Sequence, residues 1–333
     1  MKKYLFIILF LLVACTKDDM SSILVINASI EENKTGSKAV TYGSSFSNGN
    51  TLGLFVYYAE NVDPHTQFRP YGEKYNNIRA LYNNGSWVYR FMNSTSDFDN
   101  IYLLNPTIET FTQGLTIYAY SPWIAGTESI TRVPFALGGQ SKSVVDLMRA
   151  SQNNTSVNAR IVPDGGAKSV NLTFNHVFAM LRFGFRCEHD VTEMKVTSIT
   201  VRRSENAVTP LYVSGELNAI DGTFGSLVES DELTTVYSDD LITFDDTGYE
   251  YLPFLIMPGE YHADGDYEVV FRFDNQQLEY VYPITRDDIS VENITLFKAG
   301  FTYTFLFTFD NHIRFDNVTV SDSWTEINEN LVF

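Results

Sequence analysis

Apolar and polar residues alternate one for one along much of the chain. Phe301, Tyr303, Phe305, Phe307 and Phe309 occupy successive odd positions, and Thr fills most of the even ones. Tyr267, Val269, Phe271 and Phe273 alternate with Glu268 and Arg272, while Leu278, Tyr280, Tyr282 and Ile284 repeat the pattern with opposite parity. Leu181, Phe183 and Phe185 alternate with Arg182, Gly184 and Arg186. A period of two is the signature of a half-buried antiparallel strand, because successive side chains point to opposite faces of the sheet. Turn signals fall between these runs: Asn83-Asn84-Gly85, Gly138-Gly139, Pro163-Asp-Gly-Gly166, Asp221-Gly222, Pro258-Gly259 and Asp264-Gly265. No stretch carries a sustained 3.6-residue apolar stripe, and no internal repeat shows at a fixed period. The pattern predicts an all-β protein built from sandwiches.

The chain has 333 residues, more than a single β unit usually holds. Ser151–Lys168 is polar, rich in Asn and Gly and poor in large apolar residues, as linkers are. This predicts an N-terminal domain over 15–155 and a C-terminal domain over 156–333. Twenty-five Phe and twenty Tyr favour strands and supply core. The formal charge of −18 excludes a general nucleic-acid binder, which needs a basic face.

The first residues change the picture from a soluble protein to an exported one. Lys2 and Lys3 form a charged start, Tyr4–Leu12 an apolar run too short to span a bilayer, and Leu12-Val13-Ala14-Cys15 a lipobox. Residues 1–14 thus read as a lipoprotein signal peptide, with Cys15 as the acylated first residue of the mature chain. Acyl chains contribute about 0.8 kcal/mol per buried CH₂, so the lipid predicts a stable membrane anchor. Thr16-Lys17-Asp18-Asp19 resembles the surface-export tag of Bacteroidota lipoproteins. Cys187 is the one remaining cysteine, so the core and not a disulfide must hold the fold.

Several segments then follow one family in order. They are Tyr118-Ala-Tyr-Ser-Pro-Trp123, Asp146-Leu-Met-Arg-Ala150, the run from Leu172 to Phe183 containing His176, Gly300-Phe-Thr-Tyr-Thr-Phe305 and Val320-Ser-Asp-Ser-Trp324. Together with the lipobox they resemble the Bacteroidales fimbrillins of the Mfa-like branch, across nearly the whole chain. The resemblance implies two transthyretin-like β-sandwich domains in tandem. It also implies export as a lipoprotein to the outer membrane and a place in cell-surface fimbriae of the type V kind. In that family an Arg- or Lys-specific protease removes the lipid and the first strand together, and a strand from the next subunit fills the groove. Other fimbrial subunits are therefore the expected partners, with a host or glycan receptor beyond them.

The residues permit a physical check. Ile23–Ile30 reads ILVINASI, with Leu24, Ile26, Ala28 and Ile30 on one parity. A strand that buried this face would gain about 5–9 kcal/mol from its three large side chains. Its removal would leave an apolar groove and an unpaired edge, a template for another strand. Lys34 and Lys38 follow in a polar stretch and are the candidate processing points. Several fimbrillins present an Arg at the cut, whereas the first Arg here is Arg69. An uncut chain would suit an anchor, and the polar C-terminus offers no clear donor strand, so stalk, tip and anchor roles stay open.

Catalytic chemistry finds no foothold. The chain has no Gly-x-Ser-x-Gly, His-Glu-x-x-His, Cys-x-x-Cys or Gly-x-Gly-x-x-Gly, and its five His are scattered without ligand spacing. His176 beside Phe174 and Phe178 reads as a structural residue, and the acidic turns at 239–246 and 262–266 do not match a calcium loop. No enzyme, cofactor or metal site is expected. The alternative function is a surface glycan-binding lipoprotein of a nutrient-uptake system, with Trp87, Trp123, Tyr57 and Tyr58 as its stacking platform.

Overall fold

The computed structural model describes residues 22–30, 46–58, 76–90, 102–103, 115–139, 146–150, 168–188, 194–236, 242–246, 248–260, 264–273, 279–291, 294–310 and 312–321. The first strands are β1 (Ser22–Ile30), β2 (Thr51–Tyr58), β3 (Ile78–Asn83), β4 (Ser86–Arg90) and β5 (Tyr102–Leu103). They continue with β6 (Leu115–Ser121), β7 (Val133–Ala136), β8 (Met148–Ala150) and β9 (Lys168–His176). All but β7 form one eight-stranded sheet in the order β4-β3-β2-β6-β8-β9-β1-β5. The β3–β4 hairpin turns on Asn84-Gly85, both at positive φ (49° and 84°), the left-handed pair that a two-residue turn matching strand twist requires.

At β2 and β6 this sheet is buried on both faces. Along β2, Leu52, Leu54 and Val56 enter one apolar cluster, and Phe55 and Tyr57 enter another. Along β6, Ile117 and Ala119 point to the first cluster, Tyr118 and Tyr120 to the second. Gly53 lies opposite Tyr120 in the register, and a Cβ there would sit 2.2 Å from the Tyr120 ring. The missing side chain is what lets that ring lie flat across β2. The sheet also rolls: Phe46 packs edge-on against Trp87 of β4 and Phe174 of β9, at 5.1 and 5.4 Å between centroids.

The later strands are β10 (Ala179–Cys187), β11 (Met194–Arg203), β12 (Tyr212–Leu217), β13 (Phe224–Glu229), β14 (Glu232–Val236) and β15 (Ile242–Phe244). After them come β16 (Glu250–Ile256), β17 (Gly259–Glu260), β18 (Tyr267–Phe273), β19 (Tyr280–Pro283) and a single helical turn, α1 (Arg286–Ile289). The described chain closes with β20 (Ser290–Val291), β21 (Ile294–Phe297), β22 (Thr302–Asp310) and β23 (His312–Ser321). Two sheets, β16-β10-β22-β23 and β14-β11-β18-β19 with β15 added to β11, face each other. Phe271 lies 5.5 Å from Phe183, 5.1 Å from Phe185 and 4.9 Å from Phe307, and Phe273 lies 4.7 Å from Phe309. The alternating aromatics are thus the filling of a sandwich, each well-placed pair adding about 0.5–1.5 kcal/mol beyond its buried area.

The expected all-β class is the observed one. Residues 151–167, where the boundary at 155/156 was expected, lie outside the described residues. β9, just beyond them, completes the N-terminal sheet, and β7 from before them pairs with β12.

Candidate functional site

β1 runs parallel to β9, with Leu24 opposite Lys168 and Ile30 opposite Phe174. On its other side, β5 pairs only with Ser22 and Ile23 among the described residues. Ile26 and Ile30 are buried and Ala28 half-buried, while Val25, Asn27 and Ser29 face outward. The side chain of Leu24 lies outside the described residues, as do Cys15, Lys34 and Lys38.

Two polar contacts hold β1 beyond its ladder. The Ile26 N–H donates to the Tyr89 hydroxyl at 3.2 Å, although Tyr89 belongs to β4 at the far end of the strand order. The rolled sheet brings the two together, and burial pushes the Tyr89 phenol up to about 12. On the outer face Asn27 Nδ2 donates to Oδ1 of Asn171, its direct partner on β9, at 2.9 Å. Sequence reasoning passed over both Tyr89 and Asn171. The Trp-Val-Tyr alternation marks Tyr89 as inward-facing, but nothing local brings residue 89 to residue 26.

The β9–β1 pair joins the remaining sheet through β8, a three-residue strand between β6 and β9. Asp146, just before β8, pairs its Oδ2 with Nδ1 of His176 at the end of β9. Their side chains are 0% and 8% exposed, and burial raises the Asp146 carboxyl above the usual range while the imidazole opposes the shift. Arg149 of β8 donates from Nη1 to the Ile220 carbonyl at 3.2 Å, reaching the turn after β12. At the end of β6, the Tyr120 hydroxyl donates to Asn77 Oδ1 at 2.8 Å, and Trp123 Nε1 donates to the Asn77 carbonyl at 3.1 Å. Two residues, Val177 and Phe178, connect β9 to β10. The Val177 N–H donates to the Leu147 carbonyl (3.1 Å), and the Phe178 carbonyl accepts from Gly300 N–H (2.8 Å).

Among the described residues the aromatic platform does not form. Trp87 and Tyr57 are buried in different clusters, and Trp123 is half-buried with the Arg79 guanidinium 5.2 Å above its ring. The side chain of Tyr58 lies outside the described residues. Asp266 of the acidic turn at 262–266 is buried and accepts from the Val208 and Thr209 amides at 3.2 and 2.9 Å, so it pins a loop. Among the described residues no three His, Cys, Asp or Glu gather as a metal site.

The fimbrillin-like family model matches residues 37–324. The chain belongs to the fimbrillin-like family. As such it is a non-enzymatic, structural component of cell-surface fimbriae. No curated protein matches it. Among solved structures, a candidate cell adhesion protein from Bacteroides ovatus aligns with a TM-score of 0.56 at 16% identity, over 92% of this chain and 99% of that one. A candidate cell adhesion protein from Bacteroides uniformis aligns with a TM-score of 0.52 at 14% identity, over 91% and 99%. At these identities the likeness is one of fold. The family's segments fall on neighbouring strands: those at Tyr118, Asp146 and Leu172 on β6, β8 and β9, the last running on into β10, and those at Gly300 and, as far as Ser321, at Val320 on β22 and β23.

Proposed function

We propose that this fimbrillin-like protein is a lipid-anchored fimbrial subunit whose first strand is a removable plug. It is exported through acylation of Cys15 to the outer membrane and cut at Lys34 or Lys38. It then joins other subunits by exchange of β1 for a strand from a neighbour. A division into two sandwich domains belongs to the same proposal, and we place it after His176, where β9 ends. The observation that carries the reading is the seating of β1: one long parallel partner, a neighbour of two residues among the described ones on the other side, and buried Ile26 and Ile30 beneath. Those two side chains contribute about 3–6 kcal/mol, enough to hold the plug and to reward a replacement. The glycan-binding alternative receives no support from Trp87 and Tyr57, which are core residues.

The test is the N-terminus and mass of the protein from intact cells, with a sheared fraction measured separately. A new N-terminus following Lys34 or Lys38 in sheared, detergent-resistant ladders is the expected result. An intact acylated Cys15 found only with the membrane would rule out plug removal.

A further inference from the structure

Three features fix where β1 sits, and together they specify what else fits there. A slip of one residue would turn Ile26 and Ile30 outward and Val25, Asn27 and Ser29 inward, which the buried face forbids. A slip of two residues keeps the parity, so burial alone discriminates it weakly. The side-chain amide contact does discriminate it, whereas the bond to Tyr89 is made by a backbone N–H that any non-proline residue offers. Such a slip would bring Val25 or Ser29 opposite Asn171 in place of Asn27, losing the amide–amide bond. It would also put Leu24 or Ala28 at the Ile26 position, where a fully packed side chain and an N–H aimed at Tyr89 coincide.

We propose that Asn171 sets the register of the strand beside β9 and that Tyr89 demands an unblocked backbone N–H in it. The seat accepts a parallel segment with a large aliphatic residue bearing a free N–H at the Ile26 place. That segment also needs a side-chain amide at the next position and a second large aliphatic four residues along from the first. For β1 itself the assignment stands alone; for a replacement strand it rests on the plug reading above. Proline or an N-alkylated residue at the Ile26 place is rejected, because it would leave the Tyr89 hydroxyl facing carbon inside the roll. The partner is thus a strand of the form aliphatic–amide–small–polar–aliphatic, which Ile26-Asn27-Ala28-Ser29-Ile30 spells out.

The intact mature chain tests the assignment by hydrogen–deuterium exchange over residues 22–30. Tyr89→Phe keeps the ring and removes the acceptor, so exchange across β1 should rise about five- to tenfold while β10 and β22 stay unchanged as a folding control. Asn171→Ala should give a smaller rise on the same peptide. Unchanged β1 exchange in both variants would overturn the assignment. In a second arm the chain is cut with trypsin and offered synthetic Ile23–Ile30, the same peptide N-methylated at Ile26, or the peptide with Asn27→Leu. The native peptide should bind, the N-methyl peptide at least about tenfold more weakly, and the Asn27→Leu peptide in between. Equal binding of all three would overturn the specificity. If no peptide binds because β1 cannot be displaced, the plug reading fails, while the exchange arm still judges Tyr89 and Asn171.

Discussion

His176→Leu should destabilise the protein far more than removal of the whole pair to which it belongs. Asp146 is fully buried, its Oδ2 is paired with His176 Nδ1, and its Oδ1 has no hydrogen-bond partner among the described residues. Leucine preserves volume but strands a carboxylate in the core. Breaking a buried pair in this way costs about 3–5 kcal/mol, whereas replacing both members by apolar residues is often neutral or stabilising by about 1–4 kcal/mol. Asp146→Leu/His176→Leu should therefore be more stable than His176→Leu alone by at least about 2 kcal/mol. The pH dependence has a definite sign. The folded Asp146 carboxyl already lies above its ordinary value of about 3.9, chiefly from burial, and loss of the imidazole pushes it higher. The stability tied to protonating it is complete below the unfolded value and is lost as pH rises through the folded one. The deficit of His176→Leu should be smallest in acid and grow toward neutral pH. Urea unfolding followed by far-UV circular dichroism at pH 5 and pH 7 reads this directly. A deficit under about 1 kcal/mol at pH 7, or a double variant no better than the single, would refute the reasoning.

Gly53→Ala should cost about 1–3 kcal/mol or more, since its Cβ would overlap the Tyr120 ring at 2.2 Å; a thermal unfolding midpoint equal to the parent's would contradict the close approach. Phe271→Ala removes the ring on which Phe183, Phe185 and Phe307 converge and should cost about 3–5 kcal/mol in urea unfolding. Burial raises the phenols of Tyr57, Tyr89 and Tyr303 to about 12. Folding therefore favours the neutral form, and the stability this contributes is intact below about pH 10 and lost as pH climbs toward 12. Absorbance titration should show a tyrosine fraction that ionises only as the circular dichroism signal collapses; full titration near pH 10 in the folded protein would contradict the burial.

What the sequence reveals divides along the distance over which it is encoded. β10, β18 and β22 are legible because alternation is local and their two faces differ in chemistry. β2 is harder: Thr51–Tyr58 is apolar on both parities, since one face carries Leu54 and Val56 and the other Phe55 and Tyr57, and periodicity says nothing about a strand buried twice. The same blindness made Trp87 and Tyr57 candidates for a surface platform, because parity tells which residues share a face and not whether that face is wet. β1 shows the limit most clearly. Its apolar parity is legible, yet its partner β9 lies in another part of the chain and runs parallel, so no turn signal announces the pairing. The family segments look like separate markers along the sequence, but in space they are consecutive strands. Asp146 and His176 meet at the β8–β9 corner, and Leu147 and Gly300 hold the two residues that follow. A short β8 contributes little ladder of its own, so the join between β6 and β9 depends on these side-chain and main-chain contacts. The two contacts that tie β1 down beyond its ladder, to Tyr89 and Asn171, likewise come from residues far from it in sequence.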